Sequence, residues 1–152
     1  MRRFVTVALV VCALAGSARA ASAQAFGVRA GVSGSPDQFY FGVHMQTAPV
    51  FDQVRFRPNV EMGFGQDERL LALNFELVYR APIRRQPWSI LVGGGPAANI
   101  AMHDRPGGTV TNTGGGLNIL IGLEHRDGFF TELRVGLIDS PGVKFGIGYT
   151  FR

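Results

Sequence analysis

Residues 142–152 read GVKFGIGYTFR. Val143, Phe145, Ile147, Tyr149 and Phe151 alternate there with Lys144, Gly146, Gly148, Thr150 and Arg152. Side chains on a strand point alternately to its two faces. This strand therefore has one apolar face tipped with aromatics and one face that is polar or empty. The pattern suggests a protein whose oily side is its outer side.

Seven more alternating runs precede it, separated by Gly, Pro, Asp and Asn clusters. The spacing predicts strands over Ala25–Ser33, Phe39–Gln46, Val54–Phe64 and Arg69–Arg80. It predicts further strands over Trp88 to about Ala98, about Gly114–Glu124, and from Phe129 through Leu137. The Trp88 run is blurred by Gly93-Gly94-Gly95-Pro96, and Asp127-Gly128 marks a tight hairpin. Runs of roughly 9–11 residues match what a tilted strand needs to cross an apolar bilayer core, and an even strand count suits a membrane barrel. Three of the four predicted outward loops are short, and only Asn99–Thr113 is long. That segment holds His103, Asp104 and Arg105 and reads as a solvated, mobile loop, with an adhesion or lipopolysaccharide contact through Arg105 as the sharper alternative.

The other end of the chain is equally legible. Arg2 and Arg3 precede an apolar run from Phe4 to Ala15, and Ala18-Arg19-Ala20 and Ala21-Ser22-Ala23 offer small-x-small cleavage sites. Residues 1–23 are expected to be a cleaved secretion signal, since the run is too short to span about 30 Å of hydrocarbon. Removing 23 of the 152 residues leaves 129, a single barrel domain over 24–152. Cys12, the one cysteine, leaves with the signal, so no disulfide is expected. Arg2, Arg3 and Arg19 also leave, and 15 basic against 11 acidic residues becomes 12 against 11. A net charge of +1 without a clustered basic face points away from nucleic acid.

Alternation alone fits two solvents. A lipocalin-like secreted or periplasmic barrel would turn Phe41, Phe75, Leu133 and Phe145 inward around an apolar ligand. A membrane barrel would turn them to lipid. The second reading is favoured by charges of both signs in strand interiors: Arg29, Arg55, Arg57, Glu61, Glu76, Glu132, Arg134 and Lys144. An eight-stranded barrel is only wide enough inside for side chains, which such charges would plug as mutually neutralising pairs. Aromatics near strand ends favour it more strongly: Phe26, Tyr79, Trp88, Phe129 and Phe151 fall on one rim, as an aromatic girdle would.

With these features the chain resembles the OmpA-like family of eight-stranded outer-membrane β-barrels. The resemblance spans nearly all of residues 24–152. Lys144-x-Gly146-x-x-Tyr149-x-Phe151 is similar to the family's C-terminal assembly signal, although Phe usually closes the chain and here Arg152 follows it. The resemblance implies an all-β, up-and-down transmembrane barrel made by the barrel-assembly machinery. It also implies contact with outer-membrane lipid and lipopolysaccharide, a monomer, and no cofactor.

Catalytic chemistry finds little footing. His44, His103 and His125 lack metal-ligand spacing, and Gly93-x-Gly95-x-x-Ala98 lacks the helix a dinucleotide site requires. A lipid A-modifying barrel enzyme is the remaining catalytic alternative. Glu124, His125 and Glu132 could supply its acid–base set, but Arg126 and Asp127 follow His125 where the corresponding deacylase motif has its serine.

Overall fold

Hairpin follows hairpin until the last strand returns to the first. The computed structural model describes residues 24–66, 68–138 and 140–152; the expected signal over 1–23 lies outside the described residues. The strands are β1 (Ala25–Gly34), β2 (Gln38–Gln46), a three-residue β3 (Pro49–Phe51), β4 (Val54–Phe64), β5 (Glu68–Pro82), β6 (Trp88–Arg105), β7 (Gly108–His125), β8 (Phe129–Ile138) and β9 (Val143–Phe151). Neighbours pair antiparallel throughout; β2 pairs directly with β4, and β9 pairs with β1. Eight strands thus close into a barrel, with β3 a short addition beside β4. Closure removes every open sheet edge along the wall.

The start of β1 and the end of β9 lie at one end of this barrel, the terminal end, where Ala25 stands opposite Gln46 and Phe26 opposite Phe151. Three turns lie there, over residues 47–53, 83–87 and 126–128, and the last is the tightest. At the β7–β8 turn the Gly128 amide donates to the His125 carbonyl at 2.9 Å, with Gly128 at φ +108°, a conformation glycine adopts readily. A Cβ on that residue would also lie 2.1 Å from the Thr150 carbonyl oxygen.

The orientation of the strands decides between the two solvents. Phe41, Phe75, Leu133 and Phe145 are 51, 47, 42 and 52% exposed, so they point outward. Their neighbours Tyr40, Glu76, Glu132, Arg134 and Lys144 are buried inside. A lipocalin-like arrangement around an apolar ligand is therefore overturned: the interior is polar and filled.

The long loop expected over Asn99–Thr113 is also corrected. β6 and β7 remain paired from Trp88↔His125 to Arg105↔Gly108, leaving only Pro106 and Gly107 as the turn. The alternation Thr109-Val110-Thr111-Asn112-Thr113 carries enough β-branched residues to hold a ladder, and Gly114–Gly116 continue it. Because β8 pairs with β7 only from Leu117 onward, this hairpin overruns the wall on that side.

Candidate functional site: the plugged lumen and its two mouths

The inward positions of five strands converge on one cluster of buried charge. Glu132 Oε1 accepts from Arg29 at 2.8 Å and from Arg134 at 2.7 Å, while its Oε2 accepts from Arg57 at 2.7 Å. Glu61 accepts from Arg134 at 2.6 Å and from Lys144 Nζ at 2.8 Å. Glu76 lies 3.3 Å from Arg57 and 3.1 Å from Arg134. All seven side chains are essentially removed from solvent. Taking such charges out of water costs several kcal/mol each, which only close pairing with hydrogen bonds offsets.

The cluster holds four cations and three carboxylates, and aromatic faces meet the surplus. The Arg29 and Arg57 guanidiniums each lie 5.6 Å from the Phe130 ring centroid, and Lys144 Nζ lies 5.0 Å from that of Tyr40. Both rings are buried in the lumen. Cations over ring faces in a water-poor site gain on the order of 2 kcal/mol.

Glycines on intervening strands make these reaches possible. Gly42 of β2 stands opposite both Arg29 and Glu61, so Arg29 crosses β2 where no side chain blocks it. A Cβ at Gly42 would come within 2.4 Å of the Val60 carbonyl oxygen and 2.8 Å of Glu61 Cγ. Gly148 of β9 likewise separates Arg29 from Phe130, whose ring would meet a Cβ there at 2.3 Å.

Around this centre lie further polar and apolar layers that the charge pattern alone did not single out. Asn118 donates to Asn74 at 2.9 Å across Gly95, and Asn74 donates to Asn59 at 2.7 Å. His44 Nε2 lies 3.0 Å from Thr150 Oγ1. Val78, Leu91 and Leu120 form a small apolar layer between the centre and the terminal mouth. At that mouth buried Glu124 pairs with Arg80 at 2.7 Å and with Arg152. Arg55 stands here, half-exposed beside Arg80, apart from the seven central charges.

The outer rim at the same end carries the aromatic positions. Phe26, Tyr79, Phe129 and Phe151 are exposed, and Trp88 is half-buried. Trp88 lies edge-on to Phe129 at 6.5 Å and to His125 at 4.8 Å, and Tyr149 packs edge-on to Phe151 at 5.1 Å. On β9 Lys144 and Gly146 face the lumen while Tyr149 and Phe151 face out, in the strand that closes the ring.

The acid–base set raised from sequence does not assemble. Glu124 is held by two arginines, His125 Nδ1 sits 3.2 Å from exposed Asp127, and Glu132 belongs to the central cluster. His103 lies at the opposite end, 3.5 Å from Glu68. Among the described residues no group of three or more His, Cys, Asp or Glu side chains could hold a metal ion.

No known family model matches this sequence, and no curated protein resembles it significantly. Solved structures do resemble it. The N-terminal β-barrel domain of Pseudomonas aeruginosa OprF superposes with a TM-score of 0.68 at 13% identity, covering 88% of this chain and 100% of that one. The chain has the fold of the eight-stranded outer-membrane β-barrels. Neisserial surface protein A matches at TM-score 0.61 and 18% identity, over 84% of this chain and 95% of its own. The attachment invasion locus protein Ail of Yersinia pestis matches at 0.51 and 13%, over 85% and 97%.

Proposed function

We propose that this protein is an integral barrel of the outer membrane, with a structural or surface-interaction role and no catalytic one. The observation that carries this reading is the inverted barrel: a closed wall, apolar outside and charged inside. Soluble monomers rarely expose contiguous apolar patches beyond a few hundred Å², whereas in hydrocarbon a closed barrel satisfies every backbone group. Nine or ten residues at about 3.3 Å each, tilted by about 40°, cover roughly 25 Å of apolar thickness.

The β6–β7 hairpin, which overruns the wall, supports an outer side at its own end and so a periplasmic side at the terminal end. Residues 1–23 then act as the secretion signal. Lys144, Gly146, Tyr149 and Phe151 present the assembly signal to the barrel-assembly machinery. Phe26, Tyr79, Trp88, Phe129 and Phe151 form the inner girdle. The charged plug closes the lumen to bulk flow, and the protein stands as a monomer among lipid and lipopolysaccharide, with the hairpin as its surface contact.

The test is to express the precursor in a Gram-negative host, isolate outer membranes, and run unboiled and boiled samples side by side on SDS gels. Retention in that fraction with a mobility shift on boiling is expected. Recovery as a soluble periplasmic protein without a shift would overturn the reading.

A further inference from the structure

Just beyond the aromatic rim of the terminal end, a cavity of about 540 Å³ opens between the β5–β6 and β7–β8 turns. The two turns are tied together where the Arg126 amide donates to the Pro87 carbonyl at 2.8 Å. Arg80, Arg85, Arg126, Gln86 and Trp88 line it. Its cations differ in how far they are already neutralised. Arg80 is taken up by buried Glu124 at 2.7 Å. Arg126 has only Asp127, at 3.8 Å with both side chains exposed, and Asp127 also serves His125 at 3.2 Å. Arg85 has no ion-pair partner among the described residues, and neither does the adjacent Arg84.

The position of this excess cationic charge is informative. Trp88 belongs both to the outer aromatic rim and to the cavity wall. Amphipathic aromatics settle at the level of lipid headgroups, so the unneutralised guanidiniums lie where phosphates lie. Guanidinium forks bind phosphate oxygens in bidentate fashion. The opposite mouth differs, since the acids Asp37, Glu68 and Asp104 accompany its arginines.

Resting on the membrane-barrel reading, we propose that Arg85 and Arg126, beside Trp88, form a binding site for the phosphate headgroup of an anionic glycerophospholipid of the inner leaflet. Trp88 is the chain's single tryptophan, so it reports on this site alone.

The test folds the protein into phosphatidylcholine vesicles and measures quenching of Trp88 by brominated phosphatidylglycerol and by brominated phosphatidylcholine at equal mole fraction. Preference for the anionic lipid by roughly fivefold is expected, the effect of about one favourable arginine–headgroup contact. The Arg85→Gln/Arg126→Gln double variant should bring the ratio to about one while keeping its boiling shift. Inorganic phosphate at matched ionic strength should leave the preference in place. Equal quenching by both lipids overturns the proposal, as does a preference that survives the double substitution. Abolition by inorganic phosphate assigns the site to the free anion and overturns the lipid assignment. Equal quenching of the unsubstituted protein by both lipids, with its boiling shift intact, refutes this site alone. A vesicle-bound chain with no boiling shift refutes the membrane reading and the site with it.

Discussion

The centre of the lumen and the tip of the β6–β7 hairpin are both made of polar residues on paired strands, yet they obey opposite rules. In the centre three carboxylates answer four cations, all buried, with separations down to 2.6 Å. At the tip, Asp104 through Gly115 are all exposed, and the Arg69–Asp104 pair spans 3.5 Å between side chains 62 and 50% exposed. A buried pair broken on one side strands a charge, whereas an exposed pair is screened and worth little. Polar composition therefore says nothing about importance until burial is known.

The largest effect should come from Glu132→Ala, which deprives Arg29, Arg57 and Arg134 of a shared acceptor. Loss of about 3–5 kcal/mol is expected, the range for breaking a buried pair, read from urea unfolding in lipid vesicles. Phe75→Arg moves the same kind of charge to the lipid face. It should cost about 2–4 kcal/mol if placed near the bilayer midplane, in the same assay. Gly42→Ala is predicted to cost about 1–3 kcal/mol through overpacking, because its Cβ would press on the Val60 carbonyl and on Glu61. Deleting 104–109 from the hairpin tip should change stability by no more than about 0.5 kcal/mol, as for surface changes generally. A tip deletion as damaging as Glu132→Ala would erase the contrast.

The alternation was legible in the sequence because a period of two survives any register. That Phe41 and Glu132 lie on opposite faces of the wall follows from it without knowing which strands meet, while the choice of outer face needs the strand-interior charges and the rim aromatics. Which charges meet was not legible: Arg29 and Glu132 stand 103 residues apart and are joined only by barrel closure and shear. The glycines show the same limit. Gly42 and Gly148 look alike in the sequence, but only the register reveals that Arg29 crosses the first to Glu61 and the second to Phe130. The Arg80–Glu124–Arg152 group is not legible either, although Arg80 and Glu124 occupy inward positions near the same rim. Their pairing is a property of adjacent hairpins, not of either strand. Asn99–Thr113 reads as a loop because Pro106, the Gly107-Gly108 pair and Gly114–Gly116 punctuate it, while in the fold the Thr and Val residues between them sustain a ladder.

The central claim is that the aromatic, apolar face of each strand is the lipid face. The most direct measurement places a lone tryptophan there, Phe75→Trp in a Trp88→Phe background, in vesicles whose lipids are brominated along the acyl chains. The account predicts blue-shifted emission, strong quenching by the bromolipid and none by aqueous iodide. Iodide quenching with no response to brominated chains would contradict it.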